Sequence, residues 1–125
     1  MNSTLLVMAG GAAGAALRFQ LARILPVSAS GWPWPTFAAN VAGGLAMGIL
    51  AGWLLRGGES GEPMRLLLGV GLLGGFTTFS AFSLEMAMMI ERGQAVLAVS
   101  YALASVLLAL IAVFAGLALG RGVFA

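Results

Sequence analysis

The amino-acid sequence predicts an all-α membrane protein, with four transmembrane helices in a single domain over residues 1–125. Two observations carry this fold class. The chain is 61% hydrophobic and only 8% charged, whereas a soluble domain has about a quarter charged residues. Its apolar residues also gather into four stretches, each long enough to cross a hydrocarbon core of about 30 Å, which takes roughly 20 residues.

The first apolar stretch runs from Leu5 to Leu25 and the second from Phe37 to Leu55. No Lys or Arg precedes the first stretch, so it lacks the charged start of a cleavable signal peptide, and we expect it to remain as a helix. The loop between the two stretches carries the turn-forming run Gly31-Trp32-Pro33-Trp34-Pro35, whose tryptophans suit the headgroup level of a membrane.

The third stretch runs from Leu66 to Ile90 and the fourth from Ala95 to Leu119. The connections that precede them are Arg56 to Pro63 and the short corner Glu91-Arg92-Gly93. Glycines recur at helix-packing spacing in all four stretches, which predicts a compact bundle. These glycines are Gly10 and Gly14, Gly44, Gly48 and Gly52, Gly71 and Gly75, and Gly116 and Gly120.

The arginines do not select an orientation in the membrane. Four crossings place three of them on each side, with Arg56, Arg65 and Arg121 opposite Arg18, Arg23 and Arg92. Four short helices can also hardly enclose a pore alone. We therefore predict that the chain inserts both ways up and forms an antiparallel, dual-topology homodimer. The alternative is that arginine bias is simply weak in so small a sample.

The composition excludes several classes of function. Six Arg, four Glu and no Lys or His form no cationic cluster, so we predict no binding of nucleic acid. There is no Cys, no His and no group of carboxylates, so no transition-metal site and no pairing of a nucleophile with a base is visible. The chain is therefore predicted not to be an enzyme.

A polar run interrupts the middle of the third stretch. It reads Gly74-Gly75-Phe76-Thr77-Thr78-Phe79-Ser80-Ala81-Phe82-Ser83. Two adjacent glycines followed by hydroxyls make a poor continuous helix, so we predict a third helix that is broken at mid-membrane, with its freed backbone groups satisfied by neighbouring chain or bound ions. The alternative is an unbroken helix whose hydroxyls bond to the preceding turn.

Other polar and aromatic residues of the stretches each have two interpretations. Asn40 either joins helices or lines a pore. Tyr101 and Ser105 lie one turn apart, which suits a polar track or tight packing. Phe79 and Phe82 would share a helix face, where their ring edges can contact an anion, although plain packing is the commoner role.

Two charged residues, Arg18 and Glu85, lie well inside the stretches, whereas Arg23 lies near the end of the first. Both are about 10 Å from the same membrane side at 1.5 Å per residue. They either form an ion pair that anchors the first and third helices, or Arg18 belongs to a vestibule that concentrates anions.

Taken together, these residues resemble the CrcB/Fluc family of small fluoride channels over essentially the whole chain. The run from Gly74 to Glu85 is the most specific part of the resemblance. The run from Gly10 to Phe19, the run from Thr36 to Gly44, and Tyr101 with Ser105 support it in order and spacing. The chain departs from the family pattern at Pro35, where Gly is frequent, at Ala81, where Thr is usual, and at Ala109, where some members carry a hydroxyl.

The resemblance implies a passive channel that exports fluoride across the bacterial inner membrane, as a multi-pass protein with two polar paths at the interface of an antiparallel homodimer. It implies that Phe79 and Phe82 present ring edges to fluoride and that Asn40 donates from its amide. The remaining polar groups on or near the path would be Thr36, Ser80, Ser83, Tyr101 and Ser105. It further implies a structural Na⁺ at the dimer centre, held by the backbone carbonyls of Gly74 and Thr77 of both subunits.

Two other functions compete with this interpretation. A small multidrug-resistance exporter has a similar size and topology, but it needs a membrane-embedded carboxylate in its first helix, and Leu5 to Leu25 has none. A membrane assembly protein that transports nothing would not require the run of Phe, Thr and Ser. Passive efflux of fluoride and chloride from liposomes separates these functions.

Overall fold

The architecture comes from a computed structural model, which describes residues 2–27, 29–55 and 61–123. Of residue 123 only the backbone is described. Helix α1 spans Ser3–Ile24, and α2 spans Trp34–Leu54. The third span, Gly61–Glu91, is followed by a helix over Ala95–Val123. Four spans of the described chain are thus long and apolar enough to cross a membrane, which confirms the predicted all-helical, multi-pass fold.

The helix bounds differ from the expected stretches by a few residues. Helix α2 begins at Trp34 rather than Phe37, because Pro35 lies in the first helical turn, where its missing N–H is not needed. Helix α1 begins just after Asn2, whose side chain accepts a hydrogen bond from the Thr4 N–H at 2.7 Å. Of the predicted 56–63 connection, residues 56–60, including Arg56, lie outside the described chain.

The third span consists of two helical runs separated by three residues that are not helical. Helix α3 covers residues 61–76 and contains a π-helical portion, Arg65–Leu73. Thr77 then adopts an extended conformation, with φ −84° and ψ 159°. Helix α4 covers Ser80–Glu91, and Gly93, with φ 78°, turns the chain into α5, Ala95–Val123. The non-helical residues 77–79 lie in the polar run and near the middle of the span.

Glycines bring the helices together in two pairs, α1 with α3 and α2 with α5. A Cβ atom on Gly10 would overlap the carbonyl oxygen of Leu67, and one on Gly48 would overlap that of Val113. The same close approach to a facing backbone holds for Gly14, Gly52, Gly71, Gly75, Gly116 and Gly120. The predicted glycine-mediated packing is therefore present, because backbones approach this closely only where no side chain intervenes.

A cluster of buried apolar side chains lies where α4 meets α5. Phe82, Met89, Ala98 and Tyr101 form it, and the Trp32 ring packs edge-on against Tyr101 at 5.4 Å between centroids. Most of the other large apolar side chains that the structure describes are exposed. This distribution is typical of a membrane protein, in which lipid rather than water meets the outer surface.

Candidate functional site

Asn40 of α2 holds the non-helical stretch through the main chain of Thr78. Its Nδ2 donates to the carbonyl oxygen of Thr78 at 2.9 Å, and its Oδ1 accepts from the N–H of Thr78 at 2.8 Å. These two bonds satisfy backbone groups that lose their helical partners where α3 ends. Asn40 thus joins two helices, and since an amide has two N–H donors, one remains beyond this pair.

The two threonines of the stretch use their hydroxyls to end one helix and begin the next. Thr77 Oγ1 donates to the carbonyl oxygen of Leu73 at 2.9 Å, one turn back. Thr78 Oγ1 accepts the N–H of Ala81 at 3.1 Å in the first turn of α4. The N–H groups of Thr78 and Ala81, which a continuous helix would direct to the carbonyls four residues earlier, are both taken by side chains.

A cavity of about 280 Å³ opens beside this stretch on the surface of the subunit. Phe82 is buried at its edge, whereas Phe79 is 78% exposed, and the two ring centroids are 5.8 Å apart. The cavity joins the non-helical stretch to one face of α5. Its lining consists of Asn40, Thr77, Thr78, Phe79, Phe82, Ser105, Val106 and Ala109.

Ser105 contributes a buried polar atom to this cavity. Its side chain is only 6% exposed, and its Oγ has no hydrogen-bond partner within the described chain. Leaving a buried hydroxyl unpaired costs about 1–3 kcal/mol, so such a group is a candidate to contact something other than the subunit itself.

The Glu85 carboxylate accepts hydrogen bonds from two hydroxyl groups, on the side of Phe82 that faces the 25–33 loop. Thr36 Oγ1 donates to one carboxylate oxygen at 2.6 Å, and the Tyr101 hydroxyl donates to the other at 2.7 Å. The Tyr101 ring lies 5.0 Å from that of Phe82, so this cluster adjoins the cavity. A second cavity of about 260 Å³ reaches Glu85 from the loop side and has Arg92 among its lining residues.

An ion pair between Arg18 and Glu85 is not present in the structure, since Glu85 bonds other groups. Both carboxylate oxygens of Glu85 face hydroxyl donors, and the buried Nε atom of Arg18 has no hydrogen-bond partner in the described part of the chain. Among the described residues, the ion pair that the structure contains joins Arg65 to Glu62 at 2.8 Å. Arg18 and Glu85 lie at a similar depth in the membrane, but depth alone does not determine which face of its helix a residue occupies. A similar depth is therefore not enough to predict an ion pair. The vestibule role of Arg18 stays a prediction.

The structure brings together some of the predicted path residues and leaves others apart. Asn40, Phe79, Phe82 and Ser105 share the 280 Å³ cavity, and Thr36 and Tyr101 meet at Glu85. Ser80 and Ser83 are exposed on the subunit and do not line that cavity.

Sequence reasoning missed two contacts of the site. The first is Thr78, because it meets Asn40 through main-chain atoms that side-chain chemistry does not reveal. The second is the pair of hydrogen bonds that the hydroxyls of Thr36 and Tyr101 donate to the carboxylate of Glu85. A signal for it existed, since all three residues lie toward the membrane side that carries the 25–33 loop.

A protein-family model, described as CrcB-like protein, Camphor Resistance (CrcB), matches residues 5–117 of this chain. The chain belongs to the CrcB family. This membership confirms the resemblance drawn from the polar run of the third span. It also places the non-helical stretch, Asn40 and Ser105 within the part of the chain that the CrcB model matches.

Similarity to individual CrcB-type proteins extends over the full length. The chain is 59% identical to the fluoride-specific ion channel FluC of Phenylobacterium zucineum, with 100% of both chains covered. It is 52% identical to the FluC of a Caulobacter species, covering 99% of this chain and 98% of the relative. It is also 52% identical to the FluC of Novosphingobium aromaticivorans, covering 98% and 99%. These relatives are named as ion channels, which agrees with the expectation that the chain is not an enzyme.

Proposed function

We propose that this chain is a passive, fluoride-selective channel that exports fluoride across the bacterial inner membrane. The observation that carries the proposal is the 59% identity, over the full length, to a protein named as a fluoride-specific ion channel. Fluoride is then the transported ion, and the lipid bilayer surrounds the protein. The path for the ion is formed by the few polar groups of the chain.

The proposed path passes the 280 Å³ cavity, where an anion would meet weak donors only. These are the remaining N–H of Asn40, the unpaired hydroxyl of Ser105, and the ring edges of Phe79 and Phe82. Such donors replace part of the hydration shell of a small anion. No Arg lies in the lining, so no buried charge would hold the ion too tightly to leave.

The same path would continue past the Phe82 ring to Tyr101 and Thr36. Their hydroxyls are held by Glu85, which fixes their orientation beside the second cavity. Ser80 and Ser83 would join the path from the exposed face of α4, where a second subunit covers them. Arg18 would attract anions toward the mouth of the path.

The working unit that we propose is an antiparallel homodimer whose third helices are both broken at mid-membrane. Its support is an exposed aromatic, Phe79, beside exposed hydroxyls at the middle of a membrane span, a surface that is expensive to leave in lipid. Residues 77–79 are not helical, and the balanced arginines favour pairing of opposite orientations.

We further propose a structural Na⁺ at the centre of this dimer, bound by the carbonyl oxygens of Gly74 and Thr77 of both subunits. The donor chemistry fits, because oxygen ligands suit a hard cation. The N–H groups that would bond these carbonyls in a continuous helix donate to Asn40 and Thr78 instead. The cation would supply positive charge between the two copies.

The proposed channel activity is tested with the full chain in liposomes loaded with potassium fluoride or potassium chloride. Efflux is read with ion-selective electrodes. We expect fluoride to leave passively and chloride to stay. Absence of fluoride efflux, or chloride that leaves as fast, would contradict the proposal. Efflux that requires a proton gradient would favour the multidrug-resistance type of exporter instead.

In the same assay, Phe79→Ile keeps apolar bulk but removes the ring edge. We expect fluoride efflux to fall about tenfold, since an edge contact worth about 1.4 kcal/mol would be lost from the barrier region. Phe19→Ile is the matched control, because Phe19 is likewise exposed but lies on α1 outside the cavity. An unchanged rate for Phe79→Ile would falsify the ring-edge role.

A further inference from the structure

We infer that Asn40 and Thr78 are positioning residues that keep two carbonyl oxygens open for the cation at the dimer centre. Each side chain takes an N–H group that would otherwise bond one of these carbonyls. The inference rests on the proposed function, because it concerns the Na⁺ proposed there. It adds the reason why the carbonyls of Gly74 and Thr77 are available at all.

The first carbonyl is that of Gly74. In a continuous α-helix the N–H of residue i bonds the carbonyl of residue i−4, which would direct Thr78 to Gly74. Here the Oδ1 of Asn40 accepts that N–H at 2.8 Å, while its Nδ2 holds the Thr78 carbonyl at 2.9 Å. Thr78 could return to a helical position only by giving up both bonds, so the Gly74 carbonyl stays free of its helical donor.

The second carbonyl is that of Thr77. Its helical donor would be the N–H of Ala81, which the Oγ1 of Thr78 accepts at 3.1 Å. At ψ 159° the Thr77 carbonyl is also turned away from the direction that it takes at the helical value near −42°. The Thr77 hydroxyl donates to the carbonyl of Leu73, and no N–H group of the described residues outside the helices donates to the carbonyl of Thr77.

One amide thereby serves both ions. The Oδ1 of Asn40 and one of its N–H groups fix the backbone that presents carbonyls to the cation. The second N–H of Asn40 is not used by Thr78, and Asn40 is one of the residues that line the proposed anion cavity. A change at Asn40 therefore affects both sites. A change at Thr78 removes the acceptor of the Ala81 N–H, and because Thr78 also lines the cavity, its effect on the cation site is read from the Na⁺ response rather than from efflux.

The test compares Thr78→Val, which has nearly the same shape but no hydroxyl, with Thr78→Ser, which keeps it. The purified dimer in detergent is melted while NaCl replaces N-methylglucamine chloride at constant ionic strength, and intrinsic tryptophan fluorescence reports Tm. Binding to the folded state raises Tm as Na⁺ increases. We expect Thr78→Ser to retain this rise and Thr78→Val to need about fivefold more Na⁺ for each carbonyl, or about 25-fold for the two copies.

Asn40→Ala is the second variant, and we expect the same loss of Na⁺ response even if Thr78→Val does not fold. Ser100→Ala is the control, since Ser100 is exposed on α5 and its Oγ bonds only the carbonyl of Val96 one turn back. A wild-type Na⁺ response in both Thr78→Val and Asn40→Ala would overturn the inference.

If the wild-type dimer itself shows no rise of Tm with Na⁺, the proposed cation is wrong and the inference falls with it. Fluoride efflux from liposomes is measured independently, so the proposed channel activity would still be judged on its own result.

Discussion

At the scale of single residues, polar side chains of the spans divide into those with a partner in the subunit and those without. Asn40 is paired with Thr78, and Glu85 is paired with Thr36 and Tyr101. The Oγ of Ser105 is buried and has no hydrogen-bond partner among the described residues. Because apolar surroundings offer no water to accept its hydrogen bond, such a hydroxyl lacks an acceptor, and a passing anion would provide one.

We predict that Ser105→Ala lowers fluoride efflux without destabilising the fold. No hydrogen bond within the subunit is lost, and removal of an unpaired buried hydroxyl leaves the free energy of unfolding unchanged or raises it by about 1 kcal/mol. Efflux from liposomes and thermal unfolding measure the two effects. Ser100→Ala, which does lose a local bond, is expected to leave efflux unchanged. Wild-type efflux for Ser105→Ala would remove Ser105 from the path.

The sequence predicts which polar and aromatic residues lie near mid-span better than it predicts their partners. Asn40, Phe79, Phe82 and Ser105 were recognised as polar or aromatic groups at mid-span, and the structure gathers them around one cavity. The partner of Asn40 is a stretch of backbone, which has the same chemistry at every position, so no side-chain pattern could indicate it.

At the scale of helices, close backbone contact decides how the spans pack. The α2–α5 interface depends on Gly48, Gly52, Gly116 and Gly120, each of which faces the backbone of the other helix. Glycine spacing in the sequence predicted that such interfaces exist. It could not predict which helices pair, because all four stretches carry the same spacing and small residues carry no complementary shape or charge.

We predict that Gly48→Ala disrupts the subunit, whereas Gly122→Ala is tolerated. A Cβ on Gly48 would overlap the Val113 carbonyl oxygen, and a Cβ on Gly122 would have nothing within 4 Å. Overpacking of this kind costs about 1–3 kcal/mol or more when only backbone can give way. Yield of monodisperse protein and Tm in detergent are the measurements. Equal Tm values for both variants would contradict the packing described.

At the scale of the whole molecule, the balance of arginines bears on how the chain enters the membrane. Among the described residues, Arg65 and Arg121 lie toward the side where α1 begins and α5 ends, and Arg18, Arg23 and Arg92 lie toward the other. The order of the spans in the sequence predicts that Arg56 belongs to the first side. With three on each side, neither orientation is favoured by the preference of Arg for the cytoplasm.

We predict that reporters fused to the C-terminus detect both orientations of the wild type. Green fluorescent protein reports a C-terminus in the cytoplasm, and alkaline phosphatase reports one in the periplasm. Arg92→Gln leaves an excess of Arg on the C-terminal side, so the cytoplasmic signal should rise. Arg121→Gln creates the opposite excess, so the periplasmic signal should rise. A wild type that gives only one of the two signals would exclude dual topology.

The outward-facing apolar side chains have a consequence for which positions of this protein tolerate substitution. Lipid accepts Leu, Ile, Val and Phe almost interchangeably, so exposed positions such as Leu107 and Ile111 can vary among these residues with little effect on the fold. The residues that determine this particular fold and site are therefore its glycines and its few polar residues, rather than its apolar surface. A library randomised among apolar residues at the outer positions should yield many functional chains, whereas one randomised at Gly48 or Asn40 should yield few.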